Sequence, residues 1–237
     1  MRKVQLVRHT ADPDRVVALA ARICYSGMEF DDLNEKITDK AAAELVAMLR
    51  RMGHESPFEH ASFTFCVEGV SRTATHQFVR HRIASYSQQS QRYVKAGEDE
   101  KFVVPPEIEG NAEAKEKVSA HYRVALKLYF ELLDMGVKKE DARYVLPEGA
   151  ETRIMATMNA RELFHFFSLR CCNRAQWEIR AAAVDMLQEA KKVAPLIFEG
   201  AGPGCLRGPC PEKEYSCGKS AEVREFFKAL DESIGKK

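Results

Sequence analysis

At 237 residues and 45% hydrophobic composition, the chain is long enough to bury a substantial core as one domain with elaborations. Lys and Arg number 36 against 35 Asp and Glu, and the resulting +1 argues against a nucleic-acid tail or a polybasic membrane anchor. No apolar stretch of membrane-spanning length follows the basic start Met1-Arg2-Lys3, and seven cysteines without an export signal read as reduced thiols, so the protein is expected to be soluble and cytoplasmic.

Val4 to Val7 reads as a short strand, and Pro13 to Cys24 as a helix with proline in its first turn and Val17, Leu19, Ala20 and Ile23 apolar. Asp39 is the expected N-cap of a second helix with Leu45, Met48 and Leu49 inward and Gly53 as its stop. His54-Glu55-Ser56-Pro57-Phe58-Glu59-His60 then makes a polar connection. From Ser62 the alternation of Phe63, Phe65 and Val67 predicts a half-buried strand, and Val70, Ala74 and Phe78, four apart, predict a helix leading to Arg80.

Lys95 to Lys115, charged and holding Pro105-Pro106, looks like an exposed excursion. A long helix follows, with Val118, Tyr122, Leu126, Tyr129 and Leu133 as its stripe and Gly136 as its stop. Two more helices are expected. One opens at Asn159 with Glu162 completing a capping pair, and the other runs from about Arg174 toward Pro195. The periodicity alone predicts only a mixed class of helices and strands. Residues 201–237 are read as a Cys-, Gly- and Pro-containing extension ending in a short helix.

Between Glu68 and Glu98 there is no acidic residue, yet Arg72, Arg80, Arg82, Arg92 and Lys95 occur there with His76 and His81. Arginine's planar fork suits bidentate contacts to phosphate, and Ser85, Ser87, Gln88, Gln89, Ser90 and Gln91 add neutral donors without a competing carboxylate. A phosphorylated ligand fits that chemistry. Arg143, Arg153, Arg161, Arg170 and Arg174 form a second set, and a continuous helix would place Arg170 and Arg174 on one face. Arginines also cover helix surfaces and cap carbonyls, so it is the density of each set that favours a site.

No metal is expected. His54, Glu55, Glu59 and His60 have ligand-like spacing, but Pro57 opposes the helix that paired helical ligands need. Cys205, Cys210 and Cys217 lack a C-x2-C pair and a fourth ligand, and are read as unliganded thiols.

Arg80-His81-Arg82, seven residues and Ser90 resemble the RHR-x7-S signature of the flavin-dependent thymidylate synthases. His54 to His60 is similar to that family's H-E-[ST]-P-F-E-H block. Gln77, Asn159-Ala160-Arg161, Leu169-Arg170 and Ala175-Gln176-Trp177-Glu178 follow in the family's order, so the likeness spans about residues 1–200. It implies an α+β fold, a mixed or antiparallel sheet flanked by helices, with residues 1–200 as a single catalytic domain. The resemblance implies an enzyme that methylates dUMP to dTMP, with methylenetetrahydrofolate as carbon donor, reduced FAD as hydride source and NADPH as reductant. It implies FAD contacts at Ser56, Arg80, His81, Arg82, Gln88, Asn159, Arg161 and His165, with His54 in the folate and flavin neighbourhood. It implies dUMP contacts at Gln77, Arg80, Gln88, Ser90, Gln91, Arg92, Arg143 and Arg170. Arg170 becomes the expected catalytic residue, stabilising charge on the uracil ring. Ser90 has only glutamines beside it and no activating base, so it reads as a binding hydroxyl. The expected assembly is a homotetramer with shared active sites, with no nucleic-acid or membrane partner. Two rivals are a flavin oxidoreductase without methyl transfer, and an RNA- or nucleotide-binding module that stacks bases on Phe78, Tyr86 and Tyr93.

Overall fold

The computed structural model describes residues 2–99 and 101–235. Strand β1 (Lys3–His9) leads into α1 (Pro13–Ile23), where proline's fixed φ suits the first turn. After α2 (Phe30–Lys36) comes α3 (Asp39–Met52), ended by Gly53 in the left-handed conformation at φ 71°. The expected cap of α3 shifts by one residue. Thr38, in extended backbone, accepts the Ala41 N–H, while Asp39 occupies the first turn, where its charge suits the helix dipole.

The connection after α3 is not polar throughout. Ser56–His60 winds into a 3-10 turn that buries Pro57 and Phe58. Strand β2 (Ser62–Ser71) buries Phe63, Phe65 and Val67 as the alternation predicts. Val70 belongs to this strand rather than to the following helix. Gly69 sits at φ 70°, which side chains rarely adopt, and shifts the alternation by one residue so that Val70 is buried. Helix α4 (Arg72–Phe78) therefore begins later than expected, and the Ser71 hydroxyl accepts from Ala74 N at 3.1 Å.

Strand β3 (Ala84–Gln88) follows, then α5 (Pro106–Glu109), α6 (Ala112–Asp134), α7 (Lys139–Ala142), a 3-10 turn at Arg143–Val145, and β4 (Glu151–Asn159). The stretch from Lys95 is pinned at its centre, contrary to expectation. Val103 N donates to Gly149 O and Glu151 N to Lys101 O, both at 2.8 Å, and Phe102 stacks on Tyr122 with ring centroids 4.2 Å apart. A side chain at position 149 would meet the Tyr122 hydroxyl and force that ring to shift.

Helix α8 (Ala160–Arg170) and α9 (Trp177–Val193) follow β4. Helix α9 starts three residues later than expected because the Gln176 side chain, not Arg174, caps it, accepting from Glu178 N and Ile179 N. The tail is organised. Two 3-10 turns lead to the 16-residue α10 (Ser220–Gly235), Arg224 donates to the carbonyls of Cys205 and Gly208, and Lys191 of α9 pairs with Asp231.

The strands form one antiparallel sheet in the order β1-β2-β4-β3, flanked by helices, and the α+β class holds. By contact clustering the chain divides into two units. One comprises Val67–Arg80 and Tyr86–Met155 with the first residues through Lys3. The other comprises Val4–Cys66, His81–Ser85 and the chain from Ala156 onward, tail included. In the first, Phe78, Tyr129 and Ile154 are fully buried. In the second, Phe198 is an aromatic hub, meeting Phe63, Phe164 and Phe167 edge-on at centroid distances of 5.2, 5.7 and 5.8 Å. Asp14 closes the chain beside it by accepting from Leu196 N and Ile197 N.

Phe198→Ala would remove a fully buried ring from this cluster, and a urea denaturation curve should show a loss of about 3–5 kcal/mol.

Candidate functional site

The first unit gathers Gln77, Arg80, Gln88, Ser90, Gln91, Arg92 and Arg143, all assigned by the resemblance to dUMP. Two arginines converge on α7. Arg92 pairs through Nε with the Glu140 carboxylate at 2.6 Å, and Arg143 Nε donates to the Glu140 carbonyl at 3.0 Å. Sequence spacing gave no hint of Glu140, since it lies some 50 residues beyond Arg92. Ser90 caps its own turn: its hydroxyl accepts from Arg92 N at 3.2 Å and its carbonyl from Val94 N at 2.9 Å. No base activates that hydroxyl in these contacts, in keeping with a binding role.

The serine-rich segment before Ser90 is β3, a strand that its composition conceals because it lacks an apolar alternation. Its end is tied to β4, with Gln89 N donating to Arg153 O at 3.0 Å and Arg153 Nε to Gln89 Oε1 at 3.4 Å. Arg153 also faces Glu68 at 3.7 Å, so it serves local structure. A cavity of about 430 Å³ opens here, lined by Glu68, Gln89, Lys101, Thr152 and Arg153, and a smaller one reaches Ser90 and Gln91. Another cavity, about 520 Å³ between α1, α2 and α3, contains none of the expected site residues.

Arg72 stands out beside this set. Its Nη1 is buried without a hydrogen-bond partner among the described residues. Its pKa is pushed down first by burial, with Glu148 opposing the fall and Arg143 adding to it. A buried guanidinium nitrogen left without an acceptor is a costly arrangement that an anionic ligand would relieve.

The second unit gathers His54, Ser56, His81, Arg82, Asn159, Arg161, His165 and Arg170. The 3-10 turn at Ser56 docks on α8 by two means: Phe58 meets Phe164 edge-on at 5.1 Å, and Arg161 pairs with Glu59 and, at 3.4 Å, with Glu55. Asn159 caps α8, its Oδ1 accepting from Glu162 N at 2.9 Å. The reciprocal half of the capping pair is diverted. The Glu162 carboxylate is buried and lies 3.1 Å from His81 Nδ1.

His81 Nε2 in turn lies 3.0 Å from Arg170 Nε, so both ring nitrogens are engaged within the protein. Its ring also packs against Phe166 at 4.9 Å and His165 at 5.5 Å. Burial first, then Arg170 and His165, push its pKa down to about 4. Burial also raises that of Glu162, with His165 acting in the opposite direction.

One expectation changes at the end of α8. The helix stops at Arg170, so Arg174 lies in the following turn and does not share its face. Cys171 is fully buried, its thiol pushed far up by that burial, and Cys172 accepts from Arg174 N. A buried, protonated thiol is a poor nucleophile. Of the rival module's three aromatics, Phe78 is buried and Tyr86 donates its hydroxyl to Phe78 O at 2.6 Å, while Tyr93 is exposed. All seven cysteines are free thiols, and among the described residues no group of three or more His, Cys, Asp or Glu has metal-binding geometry.

A family model described as thymidylate synthase complementing protein matches residues 5–196. The chain is 53% identical to a flavin-dependent thymidylate synthase of Geobacter sulfurreducens, covering 96% of this chain and 99% of that protein. It is 46% identical to one of Pyrococcus abyssi, covering 99% and 100%. Among solved structures, a UMP/dUMP methylase PolB from Streptomyces cacaoi, crystallised with 5-Br dUMP, superposes with a TM-score of 0.75 at 31% identity, over 84% of this chain and 93% of that one. The chain belongs to the flavin-dependent thymidylate synthase family.

The depressed pKa of His81 fixes the sign of a pH effect. Its folded pKa lies below the ordinary 6.5, so the unfolded chain takes up a proton that the folded chain refuses, and stability falls as pH drops from about 6.5 toward 4. Glu162, raised, works in the opposite direction above its ordinary 4.5. Between pH 7 and 5 the wild type should lose about 2 kcal/mol more than His81→Asn, read as the difference between their denaturation midpoints at the two pH values.

Proposed function

We infer that the chain is a flavin-dependent thymidylate synthase that methylates dUMP to dTMP, using FAD. The observation that carries this reading is the grouping of the signature residues: phosphate-binding chemistry collects around Ser90, Arg92 and Arg143, while the donors assigned to the flavin, Arg80 and Gln88 excepted, collect in the unit that holds α8. In the proposed site Ser90, Gln91, Arg92 and Arg143 hold the nucleotide's phosphate, with Gln77, Arg80 and Gln88 on the rest of it. The orphaned Arg72 Nη1 supports an anion near that group.

The donor set of the second unit fits a flavin dinucleotide. Ser56, Arg82 and His165 are exposed donors, and the N-terminus of α8, with Asn159 and Arg161, suits an anionic pyrophosphate. Arg80, His81 and Gln88 complete the assigned set, with His54 toward the folate. When bound, the flavin supplies the redox equivalents, with methylenetetrahydrofolate as carbon donor and NADPH as reductant. The chain's own contribution is position and charge. Arg170, at the uracil edge, stabilises negative charge developing on the ring.

Assembly as a homotetramer with shared sites is supported by apolar side chains left exposed on this chain, such as Val124 and Leu128 of α6 and Met135 beyond it. Seven free thiols support a reducing cytoplasmic setting, and no helix among the described residues is long and apolar enough to cross a membrane.

Incubation with dUMP, methylenetetrahydrofolate and NADPH should give dTMP only when FAD is present, and a flavoprotein that forms none is the oxidoreductase rival instead. Arg170→Ala should lower kcat on the order of 100-fold with flavin still bound by its visible spectrum. Full turnover in that variant would remove Arg170 from the chemistry.

A further inference from the structure

Glu162 has no assigned role, yet it is the carboxylate that the fold buries on α8, with 6% of its surface exposed. Its own backbone N–H is satisfied by Asn159, and its side chain does not return to cap the helix. It reaches His81 instead, and His81 reaches Arg170.

The donor inventory fixes the proton positions along this chain. An arginine Nε can only donate, so His81 Nε2 must accept from Arg170. A neutral imidazole with an accepting Nε2 carries its proton on Nδ1, and that proton points at Glu162 Oε1, 3.1 Å away. Were the carboxylate absent, the Arg170 contact alone would have to hold that tautomer, because the alternative turns an N–H toward the N–H of Arg170, and the Nδ1 proton would lose its buried acceptor.

We propose that Glu162 is a positioning residue for Arg170, acting through His81: the buried carboxylate selects the Nδ1-protonated tautomer, and the accepting Nε2 then orients the guanidinium plane. This rests on the synthase reading for the role of Arg170, but the tautomer itself does not. Glu162 touches neither substrate nor cofactor in the proposal. Its effect is confined to the geometry of the group that does, and a displacement of about 1 Å in such a group can cost about 100-fold.

The test has two arms. In uniformly 15N-histidine-labelled wild-type protein at neutral pH, long-range 1H–15N spectra, with His81→Asn identifying the resonance, should show His81 protonated at Nδ1. Protonation at Nε2 overturns the proposal, and this measurement stands whether or not any variant folds or the protein forms dTMP. In the second arm, Glu162→Gln should lower kcat/KM for dUMP roughly 10- to 100-fold. Glu162→Gln/Arg170→Ala should be no worse than Arg170→Ala alone, because the two residues act as one unit. A merely structural Glu162 would multiply its own loss onto that of Arg170→Ala, and that outcome, or a Glu162→Gln enzyme of wild-type kcat/KM, rejects the positioning role. Wild-type protein that forms no dTMP fails the synthase reading alone and leaves the tautomer measurement to decide the hydrogen-bond chain.

Discussion

A carboxylate buried in the interior must find donors there, because an ion without partners costs several kcal/mol. On α8 that carboxylate is Glu162, and meeting its demand organises much around it. It draws His81, from the middle of the RHR signature, out of solvent and against the helix, and places Arg170 at the far edge of the imidazole. The ring is wedged between Phe166 and His165, so its orientation is set by packing as well as by hydrogen bonds. Three residues separated by up to 89 positions become one rigid group. Burial holds His81 neutral, which is what an acceptor to arginine must be.

The same helix carries a second set of contacts on its exposed side. Arg161 clamps the turn that presents Ser56, and Phe164 seats Phe58 beneath it. One short helix thus supports two chemistries: a buried face that fixes Arg170 and an exposed face of donors around Ser56 and His165. The other arginine group is stabilised differently. Arg92 and Arg143 share Glu140, whose carboxylate and carbonyl each take one guanidinium, and both arginines are more exposed than His81. Such a pair is weakly held in water and can be recruited by a stronger anion.

Much of this was legible in the sequence wherever a local rule governed. Alternation marked Phe63, Phe65 and Val67, Gly53 and Gly136 stopped their helices, and Asn159 capped α8. The segregation of arginine from carboxylate marked Ser90 and its neighbours before any fold was known. Where tertiary contacts overrode local preference, the reading slipped. Strand β3 has serines where a strand would show apolar residues, and only its pairing with β4 makes it one. Gly69 moves Val70 into β2 by shifting register, which a four-residue spacing mimics as a helix. Phe102 anchors a segment whose charge suggested solvent.

Glu162 itself shows why the site was harder to read than the fold. A Glu three residues after an Asn is the signature of a reciprocal cap, and that local explanation is sufficient, so nothing in the sequence asks for another. Only the burial of its side chain shows that the local role was declined. The helix still has its cap, because Asn159 alone satisfies the Glu162 N–H, and the carboxylate is released to bind a residue 81 positions away. A residue that satisfies two rules at once is assigned by sequence to the nearer one, and the distant partner, which here connects a signature histidine to the expected catalytic arginine, becomes visible only in three dimensions.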